Sequence, residues 1–201
     1  MRSFVVVAHT APLQGGFSLD DLPGGAGRLD VLCRCATEAF LLSHGIRKDV
    51  TLHFVIRDQL ILDLDGSHLR HLNPDERSTG ALVRNALDAA HRQPREAKVV
   101  ASPGISVRWG GLRDLVEDFR AAGRPLILLD ERGEPLRSAE LPPAPVFVLS
   151  DHKDFTPDEE KILDGAPRVS VGPRVLHGHQ CITLVHNELD WREAGWKGGG
   201  N

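Results

Sequence analysis

Apolar positions along the chain follow two rhythms. Short β-branched or apolar runs at Phe4–Ala8, Thr51–Ile56, Lys98–Ala101, Pro125–Asp130, Pro145–Ser150 and Arg168–Val171 read as strands. Several are continuous rather than alternating, as expected for strands covered on both faces. Helical periodicity marks Arg28–His44, Pro74–Arg92, Gly111–Ala122, Pro157–Asp164 and about Gln180–Ala194. Strand–helix alternation of this kind predicts an α/β fold with a largely parallel sheet. No repeat or long linker interrupts it, so residues 1–201 are expected to form one domain, with a frayed tail over 195–201.

In the first helix, Leu29, Leu32, Cys33, Ala36, Ala39 and Phe40 fall on one stripe, which predicts its buried face. Cys35 falls off that stripe, which argues against a Cys33/Cys35 metal pair. Asp30 and Arg34 stand four apart, the spacing of a solvated ion pair. Ahead of them, L22-P-G-G-A-G27 reads as a flexible glycine loop whose amides favour an anion, although no G-K-[ST] follows to make it a P-loop. In N73-P-D-E-R77 the spacing predicts Asn73 as N-cap, Pro74 at the first helical position and Glu76 completing the capping pattern. Asp75 and Arg77 are left over. An arginine in a first turn opposes the helix dipole and points to an external anion such as phosphate.

Toward the C-terminus, L126-I-L-L-D130, V146-F-V-L-S-D151 and R168-V-S-V-G172 are apolar strands ending in small or acidic residues. Ligands of open parallel sheets sit outside such strand ends, yet the dinucleotide fingerprint G-x-G-x-x-G is absent. The charge balance, 24 Lys+Arg against 28 Asp+Glu, gives no general support for nucleic acid and requires any RNA contact to be concentrated on one face. Three cysteines fit a reducing cytoplasm, and the apolar run after Met1 is too short for a signal or a membrane span.

His177, His179, Cys181 and His186 crowd into ten positions. No His pair stands at i, i+4, and Cys181 and His186 do not share a helix face, so the spacing favours a ligand-binding loop over a metal site.

The stretches D20-D-L-P-G-G-A-G-R-L-D-V-L-C-R-C35, F40-L-L-S-H-G-I-R47, N73-P-D-E-R77, S102-P-G-I-S-V-R108 and V175-L-H-G-H-Q-C-I-T-L-V-H-N187 run in order over nearly the whole chain. In them the chain resembles the TrmY family, the tRNA pseudouridine-54 N1-methyltransferases of the SPOUT superfamily. The resemblance implies a SPOUT α/β fold whose segment from about 125 to 194 forms a deep trefoil knot, and a homodimer. It implies that S-adenosylmethionine (SAM) is held through loop backbone near Leu129, Ser150, Gly172, Leu176 and Cys181. Ser150 stands where the family pattern favours glycine, which narrows the pocket slightly. His177 and His179 are left to face the substrate.

The implied reaction is methylation of N1 of pseudouridine 54 in the tRNA T-arm. Its N1 proton must leave to a base or to water, with Asp30 and Asp75 as candidate bases. Arg28, Arg34 and Arg77 are candidates for holding phosphate or stabilising charge on the uracil carbonyls. The target base needs flipping out of the folded arm, and Trp109, beside Arg108, is the best stacking candidate in a chain with 5% aromatics. Alternatives are N1-methylation of pseudouridine in ribosomal RNA, as in the related Nep1 family, which the L-C-R-C motif disfavours, a knotted RNA-binding protein without turnover, and a metal-binding regulator using the His/Cys cluster.

Overall fold

The structure, a computed structural model, describes residues 1–195; the tail expected to fray lies outside them from Trp196 on. In chain order the elements are β1 (Arg2–Ala8), α1 (Leu29–Phe40), β2 (Leu41–Leu42), β3 (Gly45–Ile46), β4 (Val50–Ile56), β5 (Leu60–Asp65), α2 (Glu76–His91) and β6 (Val99–Ser102). There follow β7 (Ile105–Trp109), α3 (Leu112–Ala121), β8 (Leu126–Pro135), β9 (Val146–Ser150), α4 (Pro157–Ile162), β10 (Arg168–Ser170) and α5 (Gly178–Glu193).

Eight strands form one sheet in the order β10-β8-β9-β1-β4-β5-β7-β6. The pairs from β10 to β4 are parallel, and those from β4 to β6 antiparallel. Pleating sends Phe4, Val6 and Ala8 of β1 into a core shared with α1, α2 and α5, while Val5 and Val7 join a smaller core under α3 and α4. Both faces of β1 are therefore covered, which is why its apolar run is continuous.

Several expectations need correction. The sheet is largely parallel, as expected, but one flank is antiparallel, because β5 and β7, two strands absent from the sequence-based assignment, follow β4 there. In L60-I-L-D-L-D65 the inward apolar positions alternate with Asp63, whose charge is met by His53 and Lys98. The first helix ends at Phe40 rather than His44, and its last residues become a two-stranded ribbon of β2 and β3. Cys35 is fully buried, because α1 is covered by α5 as well as by the sheet. Asp75, not Asn73, caps α2, its carboxylate accepting from the Ser78 amide at 2.7 Å.

Candidate active site

The carboxyl ends of the parallel strands open onto a cleft of about 400 Å³. Leu129 of β8, Ser150 of β9, Gly172 after β10, and Leu176 and Cys181 at the start of α5 all line it. The chain is shaped locally to make this possible. At Gly133 a Cβ would lie 2.5 Å from the Arg168 carbonyl carbon, so only glycine lets residues 129–133 bulge outward and return against β10. The start of α5 presses onto the end of β9, where a Cβ on Gly178 would lie 3.0 Å from Leu149.

Much of the cleft wall is charged but internally paired. Asp130 takes two bonds from Arg132, at 3.1 and 3.0 Å, and pairs with Arg168. The Arg132 bonds lower its proton affinity, outweigh the opposing effect of burial, and hold the carboxyl well below the usual range. Beneath the loop after β9, His9 bridges Asp151 at 2.9 Å and Glu159 at 3.1 Å. Burial disfavours the charged imidazole, but the two carboxylates prevail and raise its pKa. In contrast, the Ser150 hydroxyl is buried and has no partner among the described residues. A cleft with loop backbone, apolar Leu129 and Leu176, and an unspent hydroxyl suits a nucleoside, whose base has apolar faces and a polar edge.

Beside the cleft stands a second cluster. Arg28 donates to both oxygens of Asp30, at 3.0 and 3.2 Å, and Arg34 approaches Asp30 at 3.3 Å while donating to Glu76 at 2.7 Å. Asp30 is 1% exposed, so the expected solvated ion pair is instead a buried carboxylate faced by two half-exposed guanidiniums. Burial favours its protonated form, but Arg28 first and then Arg34 outweigh that and keep it ionised. Arg28 adopts φ 64°, a left-handed conformation that costs a non-glycine residue about 1–2 kcal/mol. It directs the guanidinium back onto Asp30 and within electrostatic reach of the cleft residue Asp151.

The glycine loop before α1 is not an open anion site. Asp21 already accepts from the amides of Gly24 and Gly25, at 3.0 and 2.7 Å. Arg77 pairs with Asp20, and Asp75 is spent as a cap. Arg108 and Trp109 lie on β7, four strands from β9 and so about 19 Å away along the same edge. Arg108 pairs with Asp118. Arg95 covers the Trp109 ring at 4.4 Å, and His91 meets it edge-on.

The four metal-competent side chains diverge. His186 is buried, donates to the Ala39 carbonyl at 3.0 Å and accepts from Arg2 at 3.1 Å. Burial, then Arg47 and Arg2, push its pKa down to about 4. Cys181 faces the cleft, while His177 and His179 stack on each other. No group of three or more metal-competent side chains converges among the described residues.

The chain is similar to several known proteins. The family described as putative SAM-dependent RNA methyltransferase matches residues 1–194. A tRNA (pseudouridine(54)-N(1))-methyltransferase of Haloferax volcanii is 48% identical over 192 residues, spanning 94% of this chain and 96% of the relative. The enzyme of that name from Methanosarcina acetivorans is 46% identical over 201 residues, spanning 96% and 93%. Archaeoglobus fulgidus Nep1, crystallised with S-adenosylhomocysteine, shares the fold with a TM-score of 0.65 at 16% identity, covering 96% of this chain and 99% of that one. The chain belongs to the SAM-dependent RNA methyltransferase family that includes the tRNA (pseudouridine(54)-N(1))-methyltransferases.

Proposed function

We propose that this chain methylates N1 of pseudouridine 54 in the T-arm of tRNA. The observation that carries the reading is convergence. Leu129, Ser150, Gly172, Leu176 and Cys181, five positions scattered between residues 129 and 181, line one cleft, and the Arg28–Asp30–Arg34 cluster stands beside it. SAM, when bound in that cleft, supplies an electrophilic methyl group with a good leaving group. The chain's task is then to bring N1 into line with it, which is chiefly a matter of positioning. Arg28 and Arg34, oriented by a buried anion and still half-exposed, hold a phosphate or the uracil carbonyls as negative charge builds there.

The C-terminal segment is proposed to be knotted as one SPOUT domain. Supporting this, residues 136–139 are clasped from two sides. Leu136 donates to Ser170 at 2.8 Å, and Arg192 of α5 donates to the carbonyls of Leu136 and Ala139. A homodimer is proposed as well, supported by Leu184 and Trp191, seven apart on α5 and 37% and 47% exposed. Three free thiols support a cytoplasmic location.

The test is a methyl-transfer assay with SAM on two T-arm stem-loops that differ only in pseudouridine or uridine at the target. N1-methylpseudouridine from the first and no product from the second is the expected result. Methylation of a ribosomal RNA fragment in place of the T-arm would move the substrate, and SAM binding without transfer to any RNA would leave a binding protein.

A further inference from the structure

If N1 is to be methylated, its proton needs an acceptor, and the carboxylates between the cleft and the arginine cluster are committed. Asp30 receives Arg28 and Arg34, Asp75 caps α2, and Glu76 receives Arg34. Asp151 accepts from His9 and from the amides of His9 and Lys153.

The histidine pair at the start of α5 is different. The His177 and His179 rings lie 5.6 Å apart and within 9° of parallel, and neither ring makes a hydrogen bond among the described residues. Helical spacing fixes where His179 faces. Thr183, one turn later, donates to Glu38, and His186, two turns later, donates to the Ala39 carbonyl, both on α1. His179 therefore sits one turn nearer the start of α1, toward Arg34, while its neighbours Gly178 and Cys181 line the cleft. It occupies the ground between the nucleoside cleft and the arginine cluster.

We propose that His179 is the general base of the methyl transfer, with His177 stacked on it to fix the ring plane. The assignment rests on the function proposed above. As N1 attacks, its electron pair forms the bond to the methyl carbon, and the carbon–sulfur pair stays on sulfur. The N1 proton passes to the unprotonated imidazole nitrogen of His179 and then to solvent from the resulting imidazolium.

The surroundings suit the role. His177 on its own turn, Arg34 and Glu38 from α1 and Glu76 from α2 are the charged and titratable groups that face it. Burial, then His177 and Arg34, lower its pKa below 6.5, with the two glutamates opposing more weakly. The ring thus keeps a free lone pair at neutral pH.

The test compares wild type, His179→Gln and Asp154→Asn, the last removing a cleft carboxylate without a hydrogen-bond partner among the described residues. Measured are SAM and tRNA affinity, kcat against pH, and imidazole NMR titration of the protein alone. Expected for His179→Gln are affinities within about threefold of wild type, kcat lower by about 10²-fold or more, and loss of the acid limb. Added imidazole should restore part of the activity of His179→Ala. In the wild-type protein alone, the ring should titrate below 6.5. The assignment is overturned by near-normal kcat in His179→Gln, by a loss confined to KM or SAM affinity with the acid limb kept, or by Asp154→Asn taking the loss instead. A ring that titrates at or above the ordinary histidine value overturns it without any turnover assay. Wild type silent on pseudouridine RNA is the separate failure of the function reading, and removes the assignment with it.

Discussion

The two halves of the sheet share one edge and use it in opposite ways. From β10 to β4 the strands run parallel, so the carboxyl ends of β1, β8 and β9 start crossovers, and the loops leave a cleft with an unpartnered hydroxyl at Ser150. From β4 to β6 the strands are antiparallel, and the same edge is closed by the tight turn at Arg57 and Asp58, with φ of 51° and 53°. The polar group there is consumed internally, since Asp58 accepts from the Leu112 amide at 2.6 Å to cap α3. Strand direction thus decides whether a sheet edge is closed by a tight turn or opened by crossover loops onto a ligand cleft.

The largest effect that sharpens this contrast is expected at Asp30. Asp30→Asn keeps the volume but removes the charge that orients Arg28 and Arg34, so kcat on tRNA should fall by about 10²-fold while SAM affinity stays unchanged. Parallel loss of SAM affinity would place the cluster inside the cofactor site. Next comes His9, the strut between β1 and the loop after β9. Its folded pKa is raised, so its contribution is full below the unfolded value of about 6.5 and is lost as pH rises through the folded value. His9→Ala should cost about 2 kcal/mol in urea denaturation at pH 6, with the gap to wild type closing at alkaline pH. A gap that is flat with pH would mean the imidazole is neutral in the fold.

A matched pair of substitutions then tests the edge itself. Ser150→Val fills the open half and should weaken SAM binding about tenfold, roughly 1.4 kcal/mol by calorimetry, with little change in stability. Asp58→Ala removes the cap in the closed half and should cost about 1 kcal/mol of stability with SAM affinity intact. If Asp58→Ala also weakens SAM, the two halves are not separable.

The same difference between halves governs how much the sequence discloses. Strands such as V146-F-V-L-S150, buried on both faces, announce themselves as unbroken apolar runs. β5 and β7 alternate with Asp63, Asp65, Ser106 and Arg108, and a short alternating strand rich in charge looks like loop until its cross-strand partners are known. The α2 start reads in sequence as capped by Asn73, and the geometry gives the cap to Asp75 instead. The cleft positions were legible through resemblance alone, because a site that works through backbone leaves little mark on side-chain identity. Asp30 and Arg34 were visible as a pair, yet nothing in the spacing tells that Arg28 folds back to bury the carboxylate. The His177–His179 pair stood out as a cluster, but its nearness to Arg34 exists only once α5 packs on α1.

The smallest effect is expected at Arg108, in the closed half. Its partner Asp118 is 61% exposed, and pairs of that kind contribute about 0–1 kcal/mol, so Arg108→Ala should leave the denaturation midpoint nearly unchanged. Its value lies in the RNA. A T-arm seated with its base at the cleft and its stem along the shared edge passes Arg95 and Arg108, about 19 Å away by strand spacing. Arg108→Ala should then weaken tRNA binding severalfold and reduce the slope of log K against log salt by about 1, with SAM affinity untouched. An unchanged slope would place the RNA wholly on the open half. The closed half would then serve only to hold β4 and β1 in place.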